Sequence, residues 1–411
     1  MEKEGKMIGV PKEKEPALYA ILTEPNPIAV YQKYYHCLSD CNIVLFDGKK
    51  DTNISQHCID KAIGNYYIMG IGNYRNAVIL NKQFWEAAAT NRAKQAPVKI
   101  GFCIDFDSNI MSYLPKALKD GRQDDDFCKL LWYIKSNHYA LTCLPYSIED
   151  SLNKKGMKST EKVYQALLYF YAFSRLTIDP LGEQDFKNLA LDIDIEDYQQ
   201  ADDTWNEMIR LREHERDKEK RTKSIYCLLL ETMILKHGVK KPYKKKMETM
   251  IRFVNEQLGV YLENALYLCG LYLLDSNHEG IRRFFSKMQP AAKNLTDKIA
   301  GMAWDLFHIS NLPEEMRINS MEKQATVLNY FITRDQGLKD IIQWNPVQRM
   351  VFDKDISIAK YKHSILELPI DEKTLRSIPQ SQSARERLCM EGDLETLITV
   401  KEKELMNLRN G

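Results

Sequence analysis

Pro97-Val98-Lys99-Ile100-Gly101-Phe102-Cys103-Ile104-Asp105-Phe106-Asp107-Ser108-Asn109-Ile110-Met111-Ser112-Tyr113-Leu114-Pro115-Lys116-Ala117-Leu118-Lys119 is the stretch on which the fold turns. Val98 to Ile104 is a short apolar run behind a proline, and after Asp107-Ser108-Asn109 the residues Ile110, Tyr113, Leu114 and Leu118 recur at helical spacing. The pattern predicts a strand, an acidic turn and a helix. In an open α/β sheet, ligands gather at the carboxyl ends of strands, so Asp107 stands where a metal ion or a phosphate is within reach. The plainer role of Asp107 or Ser108 is to cap the helix that follows, and a single turn of this kind does not separate the two.

The rest of the chain sets the bounds. Its 411 residues are 44% hydrophobic, enough for two or three packed domains. The charged start Met1-Glu2-Lys3-Glu4-Gly5-Lys6 leads to no apolar segment long enough for a signal peptide or a membrane span, so a soluble cytoplasmic protein without a membrane partner is expected. Nine cysteines, an odd number in a chain without a secretory signal, point to reduced thiols. Cys37 and Cys41 lie near His36 and His57, but no second cysteine pair follows at ligand spacing, and zinc is not expected. A net charge of +1 leaves nucleic-acid binding to be argued from local patches alone.

Taken in order, residues 1–96 form an N-terminal extension, frayed to about residue 16 and folded beyond. Within it Asp51-Thr52-Asn53 reads as a surface turn, and Gly70-Ile71-Gly72-Asn73 as a turn lacking the third glycine of a dinucleotide loop. Residues 97–156 begin an α/β domain. Asp124-Asp125-Asp126 reads as a solvated helix cap, and the run from Tyr139 to Leu144 precedes a helix whose first turns hold Glu149, the second acid of interest. Residues 157–298 carry apolar stripes at helical spacing throughout and read as an all-helical insertion. Inside it, Arg212 to Lys223 is a solvated face of mixed charge. Lys240, Lys241, Tyr243, Lys244, Lys245 and Lys246, with no acid among them, suit either a phosphate backbone with one stacking aromatic or a plain solvated loop. Residues 299–345 resume the α/β pattern, and 346–411 form an appendage ending in a charged helix.

Two further acids stand out. Asp305 is the single acid in the apolar helix Ile299 to Ile309, where a carboxylate is costly unless paired or bound to metal. Asp335 follows the β-prone run Val327 to Thr333 and repeats the strand-end position of Asp107. His308 shares a helical face with Asp305 and is expected to be a partly exposed helix histidine.

The series Asp107-Ser108-Asn109 after a strand, Pro145-Tyr146 with Glu149, Trp304-Asp305-Leu306-Phe307-His308, and Phe331-Ile332-Thr333-Arg334-Asp335-Gln336-Gly337-Leu338 resembles the PIN domain nucleases, in the same chain order. The resemblance spans roughly residues 97 to 345 and matches at the two ends, because the helical part between them is much larger than in the usual PIN domain. It implies a parallel sheet flanked by helices, with Asp107, Glu149, Asp305 and Asp335 as catalytic acids holding Mg²⁺ or Mn²⁺ and Thr333 supporting the last. Glu263, another lone acid in an apolar helix, is an alternative or additional metal ligand, and Glu231 a weaker one. The implied activity is endonucleolytic cleavage by a metal-activated water, of RNA rather than DNA, with a regulatory protein partner and a toxin or antiviral role by analogy. Hard divalent cations favour carboxylate oxygens, so this chemistry needs no His or Cys nucleophile. The rival expectation is a catalytically inactive PIN-like binding or scaffolding protein.

Overall fold

The structure is a computed structural model and describes residues 13–47, 60–89, 99–119, 121, 124–152, 160–177, 182–214, 216–378 and 393–410. The Asp51-Thr52-Asn53 turn, His57 and most of the frayed N-terminus lie outside these residues. The extension supplies α1 (Glu15–Thr23), α2 (Pro27–Lys33), α3 (Tyr35–Leu38), β1 (Asn42–Leu45), β2 (Lys61–Ile63), β3 (Tyr66–Gly70), β4 (Val78–Leu80) and α4 (Lys82–Ala89). Then come β5 (Ile100–Phe106), α5 (Ser108–Lys119), α6 (Asp125–Ser136), β6 (Ala140–Thr142) and α7 (Leu144–Leu152). The helical stretch holds α8 (Thr160–Arg175), α9 (Ile195–His214), α10 (Arg216–His237), α11 (Tyr243–Phe253), α12 (Glu263–Leu273) and α13 (Glu279–Phe285). The chain continues through α14 (Leu295–Lys323), β7 (Thr326–Thr333), α15 (Gln336–Trp344), β8 (Val347–Phe352), β9 (Ser357–Tyr361), α16 (Glu372–Arg376) and a last helix, Leu394–Asn410.

The architecture is α/β, with two sheets flanked by helices. The larger sheet has the order β2-β3-β7-β5-β6. β5 runs parallel to both β6 and β7, whereas β3 joins β7 antiparallel and carries β2 as its hairpin partner. The expected purely parallel sheet is therefore corrected to a mixed one. The turn Ile63-Gly64-Asn65-Tyr66, with Gly64 at φ +54° where a side chain on the αL backbone would be strained, sets β2 antiparallel to β3, and β3 in turn pairs antiparallel with β7. β7 is buried at every position, as befits a strand with neighbours on both sides and helices over both faces.

The second sheet, β4-β1-β8-β9, is antiparallel and pairs β1 of the extension with β8 of the carboxyl-terminal segment. Boundaries at residues 96 and 346 thus do not mark separate bodies. The two sheets meet where Gly72 bridges Val347 and Ile71 O accepts from Val347 N at 2.7 Å. A Cβ on Gly72 would lie 2.5 Å from the Phe46 ring and 2.8 Å from Val347 O, so this glycine serves a close approach of backbones. The helices of the stretch 157–298 pack α8 on α5 and α10 on α14 and on the last helix. Their buried faces belong to the same continuous core as the larger sheet, so they cover it rather than form a core of their own.

Candidate functional site

Asp107 and Asp335 follow the carboxyl ends of neighbouring parallel strands, β5 and β7, because Phe106 pairs with Ile332. Each caps the helix it precedes: Asp107 Oδ1 accepts from Ile110 N at 2.7 Å and Asp335 Oδ1 from Leu338 N at 3.0 Å. Capping engages one oxygen of each. Thr333 Oγ1 accepts from Asp335 N at 3.0 Å and fixes the turn. α7 follows β6, the other neighbour of β5, and brings Glu149 to Ser108, whose Oγ donates to Glu149 Oε2 at 2.6 Å. α14 ends just before β7 begins, so its amino-terminal half, with Asp305 and His308, lies at the carboxyl edge of the sheet. The four acids therefore come together from four elements.

Their charges interact. Burial pushes the Asp107 carboxyl up to about 6, opposed by the Ile110 N–H and assisted by the Glu149 charge. Burial takes Asp305 up to about 7, with Lys287 opposing and the Asp335 and Glu149 charges adding. Asp335 is also desolvated, yet its bond to Lys287 and the capping N–H groups hold it below the usual range. Lys287 Nζ stands 3.6 Å from Asp305 Oδ2 and donates to Asp335 Oδ2, a cation seated across two of the acids. His308 is buried, which corrects its expected partial exposure: Nε2 lies 3.2 Å from Glu149 Oε2. Burial lowers the imidazole pKa, but the bond and charge of Glu149 outweigh it and the net shift is upward.

Glu263 is not brought to these four. It starts α12, where it accepts from Ser364 Oγ at 2.7 Å and Ile365 N at 3.1 Å, and it borders a small cavity with Leu306 and Ser310. Those two residues lie on a different face of α14 from His308. As a ligand shared with Asp107 and Asp335, Glu263 is corrected to a buried anchor for the 364–365 turn. Glu231 forms a buried pair with Lys401 of the last helix at 2.7 Å. In the basic stretch, Lys240, Lys241 and Lys244 are exposed, Lys245 pairs with Glu248 at 2.7 Å, and Lys246 donates to Lys236 O at 3.1 Å. The Tyr243 hydroxyl is buried, so this ring packs inward at the start of α11 and is not an open stacking surface.

Two groups of residues escaped the sequence. Lys287 had no signal, being one lysine in a polar connector. The other is a buried polar chain in which Asn329 Nδ2 donates to both Asp105 oxygens at 2.9 and 3.0 Å, Asn319 Nδ2 to Asn329 Oδ1 at 3.2 Å, and Asn311 Nδ2 to Glu315 Oε1 at 2.8 Å. Burial, reinforced by the Glu315 charge, raises Asp105 well above the usual carboxylate range. Its signal was legible: Asp305, His308, Glu315 and Asn319, spaced by three, seven and four residues, fall on one face of α14.

Among the described residues, one group of three His, Cys, Asp or Glu side chains has ligand atoms all within 4.8 Å: Asp40, Cys41 and Asp353. Lys14 Nζ sits against it, 2.5 Å from Asp40 and 3.1 Å from Asp353, and serves the charges there. No three of Asp107, Glu149, Asp305 and Asp335 approach that closely. Their donor set, carboxylate oxygens alone, nonetheless suits a hard cation such as Mg²⁺ or Mn²⁺. Compared with models of protein families, with curated proteins and with solved structures, the chain gives no match.

Proposed function

We propose that the chain is a metal-dependent endonuclease of PIN type acting on RNA. One observation carries this above all: Asp107, Glu149, Asp305 and Asp335, drawn from the ends of adjacent parallel strands and from two helices, interact electrostatically at the carboxyl edge of the sheet. Concentrated, partly desolvated negative charge is costly and is retained where a cation is bound. Asp107, Glu149, Asp305 and Asp335 would hold Mg²⁺ or Mn²⁺, which when bound would activate water for in-line attack and offset charge on the phosphate. The protein's own groups position the acids. Ile110 N and Leu338 N occupy Oδ1 of Asp107 and Asp335, Asn109 Nδ2 lies 3.5 Å from Asp107 Oδ2 and Lys287 donates to Asp335 Oδ2, while Ser108 and His308 orient Glu149. A nucleic-acid strand is supported by Arg334, exposed next to Asp335, which lies over the Tyr66 ring at 4.9 Å and 5.8 Å from the 40% exposed Tyr113 on α5.

The second candidate is a PIN-like binding or scaffolding protein without catalysis, favoured by Lys287 and His308, which already serve three of the four acids. Incubation with labelled RNA and DNA in Mn²⁺, Mg²⁺ or EDTA separates the two. Cleavage of RNA that needs the cation and is lost in Asp107→Asn and Asp335→Asn is the expected result. Retention of RNA without cleavage in any cation would instead assign the scaffold.

A further inference from the structure

We infer that Lys287 is a tethered cation that competes with a divalent ion for Asp305 and Asp335, and so sets the ion concentration at which the site fills. This rests on the metal-centre function proposed above and deepens it.

Lys287 lies two residues beyond α13, and α13 is locked to α15, the helix that Asp335 caps. A Cβ on Gly337 would lie 2.8 Å from Phe284 Cα and 2.9 Å from Phe284 N, so the α13 backbone rides directly on the first turn of α15. Arg283 of α13 pairs with Asp340 of α15. The Lys287 backbone is thereby held at a fixed offset from Asp335, and its ammonium is delivered between two carboxylates rather than ranging over the surface. Among the described residues no other Lys or Arg stands within ion-pair distance of Asp305 or Asp335. The Lys287 side chain is 39% exposed, which leaves it a path to solvent.

An ammonium offers three donors and one charge; a divalent ion offers twice the charge and direct bonds to carboxylate oxygen. Both cannot sit between Asp305 and Asp335. With Lys287 in place, its single positive charge partly offsets the two carboxylates it lies across in the metal-free site. Filling the site requires the ammonium to swing outward, and that displacement subtracts from metal affinity.

The test is Mn²⁺ binding at fixed pH and ionic strength, by calorimetric titration and by the electron paramagnetic resonance signal of free Mn²⁺, on the full chain and on Lys287→Met, Lys287→Arg and Asp335→Asn. Thermal melting in EDTA and in saturating Mn²⁺ accompanies it. Lys287→Met keeps the stem and removes the charge, so it should bind Mn²⁺ roughly tenfold more tightly, melt lower in EDTA, and recover in Mn²⁺. Lys287→Arg should bind as the unaltered chain does. If the unaltered chain binds Mn²⁺ through Asp335 and Lys287→Met binds it equally or more weakly, the competing role is overturned while the metal centre stands. If neither the unaltered chain nor Lys287→Met binds Mn²⁺, both fall together.

Discussion

Asp107 and Asp305 hold their protons more tightly in the fold than an unfolded carboxyl, whose value is near 3.9; they titrate at about 6 and about 7. The native state therefore binds more protons than the unfolded chain between those limits. Their favourable contribution is complete below the unfolded value and is lost as pH rises through 6 to 7. In EDTA, Asp305→Asn should gain stability over the unaltered chain by roughly 1–3 kcal/mol at pH 8 and show little gain at pH 4.5. Urea midpoints across that range measure it, and a gap that does not change with pH would contradict a desolvated, mutually repelled carboxylate. Asp107→Asn should behave likewise, because Asn keeps the cap on α5 and removes only the charge. His308 runs in the same direction: its raised folded value makes the Glu149 pair worth most below about 6.5 and less as pH climbs. His308→Gln should accordingly cost more at pH 6 than at pH 8.5, by the same urea comparison.

Among the elements, the start of α12 and the start of α11 bear on residues whose sequence roles were left open. Glu263→Gln removes the charge from a carboxylate that accepts from Ser364 and Ile365, and should cost about 1–3 kcal/mol of stability without changing Mn²⁺ affinity. Glu149→Gln should weaken Mn²⁺ binding. A titration in which Glu263→Gln alone weakens it would reverse the two assignments. For the basic stretch, replacing Lys241, Lys244 and Lys245 by Gln should leave RNA affinity and its salt slope nearly unchanged if Arg334 and Tyr113 receive the strand; a flattened salt slope would return α11 to the substrate path. A run of lysines in a sequence does not disclose which of them already have partners. Here Lys245 meets Glu248, Lys246 meets the carbonyl of Lys236, and Tyr243 turns inward.

At the scale of the molecule, the amino-terminal segment is structural. β1 pairs with β8, β3 with β7, and the two sheets are joined at Gly72 and Val347. Gly72→Val would drive a side chain into Phe46 and the Val347 carbonyl and should destabilise the whole protein by about 2 kcal/mol or more. Because one core runs beneath the larger sheet and the helices alike, melting of this variant should remain a single transition at a lower midpoint. A separate early transition confined to the amino-terminal segment would show that the seam is not shared.

The sequence by itself determined the strand, acidic turn and helix around Asp107, the matching unit around Asp335, the helix holding Glu149 and the long helix holding Asp305. Each rests on local causes: apolar period, a capping acid and a β-prone run read within a dozen residues. Asp107 and Asp335 stood out locally as acids at strand ends, Asp305 as a lone acid in an apolar helix and Glu149 as an acid in the first turns of a helix, whereas their common metal-binding role is what the PIN resemblance implies. Only the tertiary structure decided that β2 and β3 complete the sheet antiparallel, that Glu263 faces away while Glu149 faces in, that His308 is buried against Glu149, and that Lys287 lies across Asp305 and Asp335. Those outcomes depend on pairing between segments far apart in the chain, as with His308 and Glu149, 159 residues apart, and on which side of a helix meets which neighbour. Local periodicity names the face of a helix that is buried, but the partner on that face is set by packing, where a single ammonium or carboxylate from elsewhere in the chain changes what a site holds.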